Sequence, residues 1–185
     1  MPFAVELLLD PDAEERIRHL WDQLAEAGAN SAMRDGGHPP HVTLGIYRRI
    51  VDPTGLESAL ALVAAQYAPR DTLHFGFVGL FPGEEGVVFA GLAATPDLLA
   101  LQRSVLAACA PFVESPQEYY GPGRWVPHVT LAIRVPVRKR GDVLAVALKS
   151  VGLAAPAAGR ALALEQIPQG ERLLHWPLVG SSETR

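Results

Sequence analysis

The heptapeptide PHVTLGI, which contains His41, returns as PHVTLAI around His128 with a single difference. A repeat this close implies that both copies occupy the same local structure, so the chain must fold as something built twice. The surroundings repeat as well. The apolar run FAVELLLD leads into DPDAEERIRHLWDQLAEAG. There Asp10 can cap a helix, Pro11 suits its first position, and Asp12, Glu14 and Glu15 favour its positive end. Later, GVVFAGLAA leads into TPDLLALQRSVLAACAPF, with Thr95, Pro96 and Asp97 in the same places. The helix openings at Asp10 and Thr95 are offset by the same amount as the two histidines, to within two residues. Ile17, Leu20, Trp21 and Leu24 mark the apolar face of the first helix, and Leu98, Leu101, Val105, Cys109 and Phe112 that of the second.

Each motif is followed by another helix and strand. The first half continues with a helix near 53–68, carrying Leu56, Leu60, Val63 and Tyr67, and the strand TLHFGFVGLF. The second continues with a helix near 138–151, the strand RALALEQIP, a turn at Gln169 and Gly170, and the strand ERLLHWPLVG as a closing hairpin. The expected fold class is α+β: two pseudo-symmetric lobes, each an antiparallel-type sheet with helices on its outer face, and a cleft between them. Residues 1–185 read as one domain made by internal duplication, with approximate halves 1–83 and 84–185 joined by the turn FPGEEG.

Composition narrows the function classes. Hydrophobic residues make up 49% of the chain and charged residues 19%, enough apolar surface for a core. A net charge of −4 argues against a general grip on nucleic acid backbone, DNA included, but leaves room for a small anionic ligand or an RNA end. No apolar run is long enough to span a bilayer, and MPFAVELLLDPD lacks the basic start of a signal peptide. The expectation is a cytoplasmic protein without membrane contact. The single cysteine, Cys109, lies in an apolar helical pattern and reads as a buried thiol; it excludes an internal disulfide and cysteine-built metal sites within one chain.

Strand alternation places His41, Thr43, Gly45 and Tyr47 on one face of the first motif and His128, Thr130, Ala132 and Arg134 on one face of the second. Gly45 and Ala132 read as room for a ligand or for the opposite lobe. Two lobes meeting across a cleft would bring together two histidines and two threonines. Histidines on opposite sides of a phosphorus can work in relay, one taking a proton from the attacking oxygen and one giving a proton to the leaving oxygen. Threonine hydroxyls can donate to non-bridging oxygens. This chemistry needs no metal and no cofactor. His38 and His41 form an H-x-x-H, but GGHPP is not a helix that would align metal ligands.

The paired His-x-Thr strands, each followed by leucine, resemble the 2H phosphoesterase superfamily, which includes 2′-5′ RNA ligase-like proteins and cyclic nucleotide phosphodiesterases. The resemblance covers essentially the whole chain. It implies a 2′-5′ RNA ligase-like fold, with His41 and His128 as catalytic residues and Thr43 and Thr130 as phosphate-holding residues. It further implies hydrolysis of a cyclic phosphodiester, such as a 2′,3′-cyclic phosphate on a nucleotide or RNA end, or the making and breaking of 2′-5′ linkages. A non-hydrolytic module binding RNA ends or cyclic nucleotides is the alternative. Further candidate substrate contacts are Tyr47, Tyr119, Tyr120, Arg124, Trp125 and Arg134. Aromatic rings and arginines can stack bases and pair phosphates, while Trp125 and one tyrosine could equally pin their loop to the core. Pseudo-symmetry leaves open which histidine is base and which is acid.

Overall fold

In the computed structural model, residues 1–167 and 171–180 are described; the expected turn at Gln169 and Gly170 lies outside the described residues. Strand β1 (Phe3–Leu9) runs into helix α1 (Pro11–Glu26), where Asp10 accepts the Ala13 amide at 2.9 Å. A single-turn helix, α2 (Ala32–Asp35), precedes the first motif strand, β2 (His41–Ile50). Helix α3 (Pro53–Gln66) and strand β3 (Phe75–Leu80) follow. The second half opens with β4 (Val88–Leu92) and α4 (Pro96–Cys109), where Thr95 accepts the Leu98 amide at 3.2 Å. These two helices are therefore capped by the residues the sequence marks. Next come β5 (Val113–Pro116), the second motif strand β6 (His128–Ala132), α5 (Arg140–Lys149), β7 (Gly159–Gln166) and β8 (Glu171–Pro177). Strand β5 begins a stretch that reads as loop in the sequence. It becomes a strand by pairing with the far end of β2, where Arg49 opposes Glu114, and no local pattern announces such a long-range partner.

The strands form one antiparallel path, β3-β4-β6-β2-β1-β7-β8, with β5 pairing β2 off the path. A lobe made from each half alone is not what the hydrogen bonds build. Strand β1 pairs with β2 of its own half and with β7 of the other, while β4 pairs with β6 of its own half and with β3 of the other. The third strands are exchanged. The physical reason is that β1 and β4 offer two similar free edges, and an apolar strand can join either while covering an edge that would otherwise template aggregation. At the centre β2 and β6 meet through one pair, Val42 and Val129.

One face of the sheet is apolar. Val5, Leu7, Val42, Leu44, Val129 and Leu131 share a core with Leu20, Trp21, Leu60, Leu101 and Val143 from the helices. Helix α1 packs beneath β6 and α4 beneath β2, so the helices cross between halves as the strands do. Cys109 is buried in this core. The other face carries the motif histidines and threonines, beside a small separate cluster of Leu8, Ala161 and Ala163. Among the described residues, no helix is long and apolar enough to cross a membrane.

Candidate active site

The Val42–Val129 pair sets the geometry of the site. The strands are antiparallel, so one step from that pair His41 lies beside Thr130 and Thr43 beside His128. Both valines point into the core, so all four polar side chains share the opposite face. A proline precedes each histidine, and each ring reaches back across it. His41 Nδ1 lies 2.8 Å from the Pro39 carbonyl oxygen and His128 Nδ1 lies 2.7 Å from that of Val126. A carbonyl can only accept, so each Nδ1 carries a proton and donates it. The exchangeable site on both rings is then Nε2. Burial holds both histidines below their ordinary value, against the carbonyl hydrogen bonds, and His41 lowers His128 further.

Each motif strand is also gripped from a helix or a loop. Trp21 on α1 donates its indole N–H to the Thr130 carbonyl at 3.1 Å, and Trp125 donates to the Thr43 carbonyl at 3.1 Å. Trp125 therefore pins its loop to the strand. Tyr120 comes to the site itself: its hydroxyl faces the Thr43 side chain, and burial pushes its pKa up to about 12, so it stays a neutral donor. Gln102 on α4 holds the Tyr120 carbonyl at 2.6 Å and the Leu44 carbonyl at 3.3 Å.

Alternation does not continue past the threonines. Val5 opposes Gly45 but Glu6 opposes Thr43, so a bulge at Leu44 inserts one extra residue. The same shift recurs at Leu131, with Val88 opposite Ala132 and Phe89 opposite Thr130. A bulge reverses the inward and outward phase of the later residues in the strand. Gly45 and Ala132 accordingly turn into the core, and a β-carbon at Gly45 would meet the Tyr47 hydroxyl at 2.7 Å and Leu106 at 3.2 Å. The small residues make room for helix packing rather than for a ligand. Tyr47 is 2% exposed, beside the Cys109 thiol, and does not reach the polar face. Arg134 stands beyond the end of β6 with φ 53°, exposed on a bend. Tyr119 and Arg124 pair with each other on the surface, the guanidinium 5.5 Å from the ring, and Arg124 also meets Glu118 at 2.8 Å.

The two histidines sit in unlike surroundings. Glu6 on β1 is 2% exposed and places Oε1 3.3 Å from His41 Nε2; its other oxygen is buried without a hydrogen-bond partner. Glu165 on β7, 1% exposed, is on the same face. His38 Nδ1 reaches it at 2.9 Å and Arg172 Nε at 3.3 Å. The H-x-x-H histidines thus serve separate partners, with ring centroids 6.4 Å apart. On the other side the residues in the matching sheet positions are aromatic. Phe89 opposes Thr130 as Glu6 opposes Thr43, and its ring lies 5.3 Å from that of His128. Phe81 stacks on Phe89 at 4.1 Å and meets His128 edge-on at 4.9 Å. Phe77 lies across Gly91, the residue opposite His128, and is 51% exposed. Sequence reasoning misses Glu6, Glu165, Arg172 and these phenylalanines. The available signal was a lone acid inside each of two apolar strands, FAVELLL and GRALALEQ.

A family model described as the 2′-5′ RNA ligase superfamily matches residues 9–166. Among solved structures, the chain is similar to Escherichia coli LigT complexed with 3′-AMP, with 19% identity and a TM-score of 0.54 over 96% of both chains. TT0787 of Thermus thermophilus is similar at 20% identity and a TM-score of 0.55, over 98% of this chain and 100% of that one. Usb1 of Kluyveromyces marxianus aligns over 96% and 98% at 13% identity and a TM-score of 0.52. At such identities the likeness is one of fold. No curated protein matches the sequence.

Proposed function

Because the chain belongs to the 2′-5′ RNA ligase superfamily, we propose that the polar face around Val42 and Val129 is the active site of a phosphodiesterase that opens a cyclic phosphate. The substrate is a 2′,3′-cyclic phosphate on a nucleotide or an RNA end, and the same opening with an RNA 5′-hydroxyl in place of water, breaking the bond from phosphorus to the 3′ oxygen, makes a 2′-5′ linkage. His41 and His128 are its catalytic residues, and Thr43 and Thr130 hold the non-bridging oxygens. In this reading the sheet bends at its single-pair joint into two lobes, and the phosphate sits in the cleft between them.

One observation carries the proposal. Both imidazoles are locked in the same tautomer by a carbonyl two residues back, which commits both Nε2 atoms to proton exchange beside two hydroxyls. A pure binding site has no use for two such groups. A nucleotide ligand is further supported by the complexes of LigT with 3′-AMP, ATP and NADP+. The half-exposed Phe77 ring, lying across Gly91 opposite His128, adds a surface on which a base can stack. The test is a panel of nucleoside 2′,3′-cyclic phosphates, cyclic-phosphate RNA ends and 2′-5′ dinucleotides, assayed with chelator present. Wild-type turnover that disappears in His41→Ala and in His128→Ala supports the reading. Binding without turnover across the panel, or activity that survives either change, overturns it.

A further inference from the structure

The repeat makes His41 and His128 look interchangeable, but their neighbours do not. The positions that hold Glu6 and Glu165 around His41 hold Phe89 and Phe81 around His128. A carboxyl group on a central strand, 2% exposed, 3.3 Å from a histidine nitrogen and with one oxygen unpartnered, is costly unless a proton accompanies it. We propose that Glu6 and His41 hold one proton between them, and that this shared proton makes His41 the general acid of the cleft and leaves His128 as its general base. The division of roles rests on the phosphodiesterase reading; the shared proton does not.

The charged and titratable groups around the pair come from every neighbouring element. Glu165 on β7 stays ionised, because His38, His41 and Arg172 together outweigh the effect of its burial. It faces Glu6 and, after burial itself, is the main reason Glu6 keeps its proton well above the carboxylate range. His38 from the loop before β2 and Arg172 on β8 oppose that effect. Tyr120 faces Glu6 from its loop as a neutral phenol, and His128 faces His41 from β6. A buried imidazole alone would be neutral near pH 7 and useless as an acid. The carboxyl beside His41 supplies the missing proton. His128 has only phenylalanine rings in the matching positions and stays neutral, as a base must.

The step then balances. His128 Nε2 takes a proton from water as the water oxygen bonds to phosphorus. The bond from phosphorus to one ribose oxygen breaks, and that oxygen takes the proton from His41 Nε2. The Glu6–His41 pair is left one proton short and His128 one proton over, and exchange with solvent restores both. Glu6 touches no substrate atom; it is a positioning residue that acts through His41.

The experiment compares wild type, Glu6→Gln and Glu6→Asp by two readouts. In proteins with isotope-labelled histidine, NMR titration follows His41 and His128 separately. In Glu6→Gln, His41 should titrate on the order of one pH unit lower, His128 should stay in place, and Glu6→Asp should restore most of the shift. In the pH dependence of kcat/KM, the basic limb, where the acid is lost, should move down by a similar amount in Glu6→Gln while the acidic limb holds. An unmoved His41 in folded Glu6→Gln overturns the shared proton. A moved acidic limb with a fixed basic limb reverses the roles. If no cyclic phosphate is turned over at all, the functional reading fails, and the NMR titration still decides whether the proton is shared.

Discussion

Trp125 donates its indole N–H to the carbonyl oxygen of Thr43 at 3.1 Å, and so ties the loop before the second histidine motif to the strand of the first. This makes Trp125 a structural brace. Trp125→Phe keeps most of the ring and loses the donor, so a half-buried carbonyl loses its indole partner. The expected loss is about 1–2 kcal/mol of stability by urea unfolding, with KM for the best cyclic phosphate nearly unchanged. Trp21→Phe, which removes the corresponding bond to Thr130, should behave alike. A large rise in KM with unaltered stability would instead make Trp125 a substrate contact.

The histidines predict a bell-shaped pH profile. Burial holds His128 below its ordinary value, so the base should stay neutral, and the rate persist, to somewhat below about pH 6.5. The rate falls as pH drops through that lowered value, and falls again at higher pH as the acid is lost. His41→Ala and His128→Ala should each cost roughly a hundredfold or more in kcat/KM. The double variant should lose far less than the product of the two, because the residues act as a unit. A flat profile from about pH 5 to about pH 9 would rule out a two-histidine relay.

How much of this could be read from the sequence depends on the range of the interaction. His41, Thr43, His128 and Thr130 are legible because the motif repeats, and Asp10 and Thr95 because a helix cap is a local event. The exchange of β3 and β7 is not, since nothing in a strand's own residues says which of two similar edges it joins. The bulges at Leu44 and Leu131 are invisible to a strict period of two, and they are why Tyr47 fills the core. Glu6 and Glu165 stand out as lone acids, but their partners His41 and His38 are brought to them only by pairing across the sheet. The phenylalanines on β3 and β4 give no sign at all, because an apolar residue in an apolar strand does not reveal which face it occupies.

Phe77 is the ring a base would meet. It is half-exposed and lies across Gly91, one strand away from His128, with strands spaced about 4.8 Å apart. That spacing suits a nucleotide with its phosphate at His128. Phe77→Ala should weaken nucleoside cyclic phosphates by about 1–3 kcal/mol in binding and leave the affinity for inorganic phosphate alone. Phe77→Trp should bind at least as well, and its fluorescence should be quenched as 3′-AMP is added. Equal losses for nucleotide and phosphate would show that Phe77 merely shapes the cleft.

The His38–Glu165 contact should leave its mark on stability rather than on rate. Glu165 is pushed up by burial, but the His38 hydrogen bond and the charges of His41, His38 and Arg172 bring it below its usual value. Its contribution is therefore present above the unfolded carboxyl value of about 4.3 and is lost as pH falls through the lower folded value. His38 is raised, by its hydrogen bond to Glu165 before all else. Its contribution is full below the unfolded histidine value of about 6.5 and disappears as pH rises through the higher folded value. Both halves coincide between about pH 4.3 and about pH 6.5. Glu165→Gln should thus cost most in that window, about 2 kcal/mol, and less at higher pH once His38 is neutral. Urea unfolding of wild type and Glu165→Gln at matched pH values measures the difference. A cost that is the same in the window and well above it would mean that His38 carries no charge into the contact, and that Glu165 is held by His41 and Arg172 without it.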